Sequence, residues 1–287
     1  MDVTGLTAVY GVIGDPVAHS LSPLMQNRAL RAMGVRGVFV PFRVLPADLG
    51  DAVAGMRALG IAGLNVTVPH KTAVIPFLDE LTTVAREVGA VNTILNRDGI
   101  LTGDNTDVYG FEMCLRTGGG LDKLPERVAV IGAGGAARGV VYACAKNPGV
   151  RELLIINRTF SKAEALAREM TDLTGTRCIP HPAGDEVFAR ELPSCGLVVN
   201  TTSVGMHPED GKSPVGDVDV FRRGQVVCDI IYTPLETVFL RDAAAHGAKT
   251  VGGLAMLAYQ GARSLALWTE AEVPVEDMLA ALREQVT

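Results

Sequence analysis

Short apolar runs rich in β-branched residues alternate along this chain with segments whose apolar positions follow helical spacing, which is the pattern of an α/β fold. In the first third, strands are predicted at 9–13, 38–44, 62–68, 91–95 and 100–102, with helices at 23–33, 47–59 and 83–90. Pro23 suits the first turn of its helix, Ser22 its N-cap, and Gly34 and Gly60 close two helices. Asp98-Gly99 reads as a hairpin turn. A helix opening at Asp107 runs to Leu115 and ends in Gly118-Gly119-Gly120.

From residue 128 onward, strand and helix alternate with few interruptions. Strands are predicted at 128–131, 152–156, 177–179, 197–200, 226–230 and 250–253, and helices at 136–146, 162–171, 186–192, 237–246, 254–268 and 275–285. This is the doubly wound, Rossmann-like arrangement with right-handed crossovers. The fold class is therefore α/β in two domains. The expectation is a substrate-binding domain formed by 1–106 with 237–287, and a dinucleotide-binding domain formed by 107–236.

The strand at 128–131 runs into Gly132-Ala133-Gly134-Gly135-Ala136-Ala137-Arg138, a G-x-G-x-x-A fingerprint. The first glycine permits the tight turn, the second lets a pyrophosphate approach the backbone, and the small third residue lets the helix pack on its strand. The free amides of that helix face the phosphates. The next strand ends in Asn157-Arg158-Thr159 with Lys162 just behind. An NAD site would place a carboxylate here for the ribose 2′-hydroxyl. An amide, a guanidinium, a hydroxyl and an ammonium instead suit a 2′-phosphate, so the cofactor expected is NADP(H).

Composition narrows the class further. The chain has 287 residues, of which 48% are hydrophobic and 5% aromatic, enough for two ordinary domains. A net charge of −6 with no basic stripe gives no general affinity for nucleic acid. The five cysteines are scattered and form no C-x-x-C, which argues against a zinc site or a disulfide framework and fits a reducing cytoplasm. The N-terminal segment lacks the basic start and apolar stretch of a signal peptide, and no run reaches the length of a membrane span.

Three polar clusters carry candidate chemistry. Ser20 and Ser22 sit at a helix N-terminus, where hydroxyls, amides and dipole favour an anion, although a capping role alone also explains Ser22. Asn65 and Thr67 share one strand face before Pro69, which can start a helix with Lys71 in its first turn. A cation is poorly placed beside that positive dipole end unless a carboxylate or ligand holds it. Asp107 follows Asn105-Thr106, a cluster that turn chemistry alone also accounts for.

Taken together and in order, these residues resemble shikimate dehydrogenase. The resemblance is carried by Ser20-Leu21-Ser22-Pro23, Asn65 to Lys71, Asn92-Thr93, Asn105-Thr106-Asp107, the fingerprint, Asn157 to Thr159, Asn200-Thr201-Thr202 with Gly205-Met206, Asp229 to Pro234, and Gly252 to Leu257 with Gln260. It implies NADPH-dependent reduction of 3-dehydroshikimate to shikimate in aromatic amino acid biosynthesis, in a cleft between two domains, by a cytoplasmic monomer or homodimer. It also implies Lys71 and Asp107 as the catalytic pair, Ser20 and Ser22 as carboxylate ligands, and Asn65, Thr67, Asn92, Tyr232 and Gln260 as partners of the ring hydroxyls. Arg138, Asn157, Arg158, Thr159 and Lys162 would contact the NADP phosphates. Thr201, Ile230, Gly253 and Met256 would line the rest of the cofactor site.

Two departures bear on specificity. Gln26-Asn27 follows the quinate/shikimate branch, which keeps quinate open as a second substrate, and Val108 replaces a glycine common after the family's aspartate. A homologue that only senses the cofactor would be marked by loss of Lys71 or Asp107, and both are present. A folate-type dehydrogenase of similar plan would not need the paired serines or the Asn/Thr/Asn/Gln set.

Overall fold

A computed structural model of the chain describes residues 3–286. The chain divides into two compact units, one formed by residues up to Gly110 with Leu257–Gln285, the other by Phe111–Met256.

The first unit contains β1 (Ala8–Gly14), α1 (Ser22–Ala32), β2 (Gly37–Arg43), α2 (Leu49–Ala58), β3 (Gly63–Val66), β4 (Glu80–Leu81), α3 (Thr83–Val88), β5 (Thr93–Arg97) and β6 (Ile100–Asp104). Its sheet has the order β2-β1-β3-β5-β6-β4 and is mixed. β1 pairs in parallel with β2 and β3, whereas β5 runs antiparallel to both β3 and β6. The β5–β6 hairpin turns at Asp98 and Gly99, both at positive φ, the geometry of a two-residue primed turn. Ile13, Leu64, Val66 and Ile94 of the sheet pack with Leu49, Val53 and Met56 of α2 in one apolar core.

Gly63 is required by a close approach. A β-carbon there would lie 2.3 Å from the indole nitrogen of Trp268, which donates to the Ile94 carbonyl at 3.0 Å. The indole also stacks on Tyr10, with ring centroids 5.3 Å apart.

α4 (Asp107–Cys114) begins in the first unit and continues into the second, where a π-helical turn, Leu115–Gly119, ends it at the left-handed Gly120. The second unit then runs β7 (Arg127–Ile131), α5 (Gly135–Lys146), β8 (Glu152–Asn157), α6 (Phe160–Thr174), β9 (Arg177–Pro182), α7 (Asp185–Glu191), β10 (Leu197–Asn200), β11 (Val226–Asp229), α8 (Val238–Ala245) and β12 (Lys249–Gly252). All its strand pairs are parallel, in the order β12-β11-β10-β7-β8-β9. Counted from β7, this is the doubly wound order 3-2-1-4-5-6, with the strand order reversing between β7 and β10. The four central strands are buried on both faces, and Ile131, Leu154, Val198 and Val227 share a core with Phe188 and Phe239. α9 (Leu254–Thr269) leads back to the first unit, and α10 (Val275–Val286) follows it.

Three local expectations differ from the structure. The sequence places residues 237–256 in the substrate-binding domain, but β12 pairs in parallel with β11 and completes the second sheet, so that unit extends to Met256. Pro69 does not start a helix. The Lys71 carbonyl accepts from Val91 N–H at 2.7 Å rather than from an amide one helical turn on, so 68–74 is a run of turns. Ser22 is the first helical residue of α1 and does not cap it; Leu21 stands at the N-cap position, and the Ser22 amide donates to Ser20 Oγ at 3.3 Å. No helix among the described residues is long and apolar enough to cross a membrane.

Candidate active site

In the first unit, the register of three strands builds the site. Asn65 of β3 lies opposite Thr93 of β5, and Thr93 lies opposite Asp104 of β6. Residues flanking these strands, Asn92 before β5 and Thr106 and Asp107 after β6, are thereby brought together. Lys71 Nζ donates to Asp107 Oδ2 at 2.5 Å, with the side chains 12% and 7% exposed. The other carboxylate oxygen, Oδ1, accepts from Asn92 Nδ2 at 2.9 Å, and the Asp107 amide donates to Asn105 Oδ1 at 3.1 Å. The carboxylate is thus held at both oxygens and from its own main chain.

Lys71 lies in a turn anchored by the preceding residue and by its own carbonyl. The preceding His70 is buried and its Nε2–H donates to the Val44 carbonyl at 2.7 Å, which makes it a structural tie. The absence of a helix at Lys71 removes the conflict with a helix dipole that the sequence presented; its cation is held by Asp107 instead.

Asn92 links the pair to α9. Its Nδ2 also lies 3.3 Å from Gln260 Oε1, and its Oδ1 accepts from Thr106 N–H at 2.7 Å. Asn65 is buried, and its Nδ2 donates among the Asn92 carbonyl, Thr93 Oγ1 and Ser264 Oγ at 3.0 to 3.2 Å. Its Oδ1 is buried without a partner among the described residues. A buried carbonyl oxygen left unpaired costs free energy unless a donor arrives, which is what a ligand hydroxyl supplies. Ser20 is half-buried and Ser22 buried at the start of α1; Thr67, half-buried, follows β3. Gln26 is wholly buried, and its Nε2 donates to the Gly261 carbonyl at 2.9 Å. Asn27 bonds both the Phe39 amide and carbonyl, so the two residues that marked the quinate branch tie α1 to α9 and β2.

Ser264 went unnoticed in the sequence. Its signal is spacing alone, since it lies four residues beyond Gln260 and so on the same helix face.

In the second unit, Gly132 adopts φ +120°, and a β-carbon there would lie 2.3 Å from the Thr201 hydroxyl, which donates to the Ile131 carbonyl at 2.8 Å. Ala133 continues the turn. Gly134 stands at the N-cap of α5 in extended backbone, and an added β-carbon would meet nothing within 4 Å. α5 carries no acidic residue in its first turn and no side-chain cap, so the amides of Gly135 and Ala136 open onto that space. The opening lies where the strand order reverses, the place such sheets bind dinucleotides. It fits a pyrophosphate.

At the end of β8, Asn157 Nδ2 donates to the Thr159 carbonyl at 2.9 Å. Thr159 precedes α6 without capping it, and Arg158, Thr159 and Lys162 are exposed. Arg138 points instead to Glu169 of α6, with which it pairs. The Arg158 group therefore presents donors with no carboxylate on β8's end, as a 2′-phosphate requires.

Beyond β11, Asp229 is wholly buried. It accepts from Asn200 Nδ2 and Ile231 N–H at Oδ1, both at 3.1 Å, and from the Thr237 hydroxyl at 2.8 Å. Burial pushes its carboxyl up to about 6. Gly253 packs so tightly on this segment that a β-carbon would lie 2.1 Å from the Ile230 carbonyl oxygen. Tyr232 is half-buried nearby in sequence, with burial raising its phenol. Met256 is buried in the first turn of α9.

Comparison with known proteins gives the same reading across the chain. The family model for the shikimate dehydrogenase substrate binding domain matches residues 12–94, that for shikimate / quinate 5-dehydrogenase matches 120–178, and that for the shikimate 5′-dehydrogenase C-terminal domain matches 253–283. The NADP(+) shikimate dehydrogenase of Desulforamulus reducens is 44% identical over 284 residues, covering 99% of this chain and 97% of the relative. A crystal structure of a shikimate dehydrogenase in complex with NADP+ superposes with a TM-score of 0.92 at 39% identity, covering 100% of this chain and 98% of that one. The Thermus thermophilus enzyme in complex with NADP(H) and shikimate superposes with a TM-score of 0.85 at 36% identity, covering 97% and 99%. With a buried lysine–aspartate pair in one unit, a dinucleotide turn in the other, and relatives matched along nearly its whole length, the chain belongs to the shikimate dehydrogenase family.

Proposed function

We propose that this protein reduces 3-dehydroshikimate to shikimate with NADPH, and runs the reverse oxidation with NADP+. The observation that carries the proposal is the buried Lys71–Asp107 pair, fixed through Asn92 and sharing one hydrogen-bond network with Asn65 and Gln260. Bound NADPH supplies the hydride. Lys71 donates to the substrate carbonyl oxygen, stabilises the negative charge that develops there, and delivers a proton to it. Asp107 orients the ammonium and takes part in returning its proton, and Asn92 keeps that carboxylate from rotating. In the oxidative direction the pair acts together.

Ser20 and Ser22 receive the substrate carboxylate, and the unpaired Asn65 Oδ1 accepts from a ring hydroxyl. Thr67, Asn92, Gln260 and Tyr232 serve the remaining hydroxyls. Gly132 to Ala136 with Thr201 hold the pyrophosphate, while Asn157, Arg158, Thr159 and Lys162 hold the 2′-phosphate. Ile230, Gly253 and Met256 border the nicotinamide. Arg138 reaches the phosphate only by leaving Glu169, so its part is secondary to Arg158.

All five cysteines are free thiols, the state a reducing compartment maintains, and on that ground we place the enzyme in the cytoplasm. The family resemblance suits a monomer or homodimer. The test is an absorbance assay offering shikimate and quinate, each with NADP+ and with NAD+. Reduction confined to shikimate with NADP+ is the expected result. Comparable rates with quinate or NAD+ would assign a broader specificity, and no turnover with any pair would refute the proposal.

A further inference from the structure

Asn65 presents an unusual arrangement: one end of its amide has three acceptors and the other has no partner. The Asn92 main-chain oxygen can only accept, so the atom facing it at 3.1 Å must be nitrogen, and the amide cannot flip. Thr93 Oγ1 and Ser264 Oγ lie 3.2 and 3.0 Å from the same nitrogen and 2.8 Å from each other. Thr106 Oγ1 joins them, at 3.2 Å from Thr93 and 3.1 Å from Ser264.

Proton accounting fixes the direction of this cluster. Ser264 O–H donates to the Gln260 carbonyl at 3.0 Å, and Thr93 O–H has both Ser264 Oγ at 2.8 Å and Asn92 Oδ1 at 3.0 Å as acceptors; Asn65 Nδ2 can only donate, so both oxygens turn lone pairs towards it. None of the four side chains is more than 5% exposed. In so dry a setting a rotated amide would set its oxygen against the Asn92 carbonyl and turn its N–H groups to the end where Oδ1 has no partner.

We propose that Thr93 and Ser264 are positioning residues for substrate recognition: their hydroxyls hold the Asn65 amide so that only Oδ1 meets the ligand, making that point of the site accept a hydrogen-bond donor, such as a ring hydroxyl, and reject an acceptor. The inference rests on the placement of Asn65 in the substrate site. Neither residue touches the Lys71–Asp107 pair, and Asn92 Oδ1 keeps the Thr106 amide when the Thr93 hydroxyl is removed. Their effect is therefore on substrate affinity and not on the chemical step.

The experiment is steady-state kinetics of Thr93→Val, Thr93→Ser and Ser264→Ala, with Thr93→Val repeated in an Asn65→Ala background. Loss of one hydroxyl acceptor should raise KM for shikimate about fivefold to tenfold. KM for NADP+ and kcat should stay near wild type, and Thr93→Ser should restore the shikimate KM. In the Asn65→Ala background, Thr93→Val should add nothing. Should Thr93→Val fail to fold, Ser264→Ala gives the same readings. An unchanged shikimate KM, a parallel rise in both KM values, or an undiminished effect without Asn65 would each overturn the proposal. Failure of the wild-type enzyme to use shikimate would instead refute the substrate assignment on which it rests.

Discussion

Lys71 Nζ and Asp107 Oδ2 are 2.5 Å apart, both side chains almost wholly removed from solvent. Two charges so placed are held by each other and by their hydrogen bonds, and removing one strands the other, at a cost of about 3–5 kcal/mol. Lys71→Met should therefore lower both stability and turnover, kcat falling by roughly 10²–10⁴. Adding Asp107→Asn should recover much of the stability, because no charge is then stranded, yet none of the turnover. Thermal melts beside kcat measurements separate the two effects; a double variant that regained activity would contradict the assigned chemistry.

Gly132 and Gly134 should respond in opposite ways to the same change. Gly132→Ala places a β-carbon at φ +120° against the Thr201 hydroxyl and should cost about 2 kcal/mol or more of stability. Gly134→Ala meets open space in extended backbone, so the melting temperature should hold. Its methyl group occupies the phosphate's path, however, and KM for NADP+ should rise about tenfold or more. Denaturation and cofactor titration of the two variants check this contrast.

Arg158 tests cofactor choice. A charge-assisted bond to a phosphate contributes about 1.5–3 kcal/mol, so Arg158→Ala should raise KM for NADP+ roughly 10- to 100-fold. KM for NAD+, which lacks the 2′-phosphate, should not change. Equal losses with both cofactors would place Arg158 elsewhere.

Asp229 predicts a pH dependence of stability. Burial lifts its carboxyl to about 6, above the ordinary aspartate value, so the folded protein binds that proton more tightly than the unfolded chain. Its contribution is full below about pH 4 and is lost as pH rises through about 6, a total of roughly 3 kcal/mol. Asp229→Asn removes this dependence. The stability of the variant minus that of the wild type should climb between pH 4 and 7, and denaturant melts across that range would show it; a flat difference would mean the carboxyl titrates normally.

Much of this architecture could be read before any coordinates. The buried strand at 128–131 and the spacing of Gly132 and Gly134 dictate the turn at β7, because few other residues fit the backbone at Gly132 and a phosphate needs the space beside Gly134. The absence of a carboxylate after β8 was equally legible, since it is a matter of residue type at a known place. Lys71 was not. Its helix failed to form because its carbonyl is taken by Val91, a long-range bond that local propensity does not contain. The extent of the second unit is hidden from the sequence for a similar reason, as only strand pairing shows that 249–252 joins β11. The Asn65 lock depends on the register of β3 against β5, and Ser264 enters it from nearly 200 positions away, so no short motif could announce it.

Trp268 is the only tryptophan of the chain, and it stands in the first unit, over Gly63 and against Tyr10. Indole emission is therefore a built-in reporter of that unit alone, while far-ultraviolet circular dichroism averages over every helix and sheet. A denaturation followed by both signals would reveal whether the protein comes apart in one event or two. If the emission change precedes the loss of ellipticity, the unit that carries Lys71 is the first to go, and the dinucleotide fold outlives it.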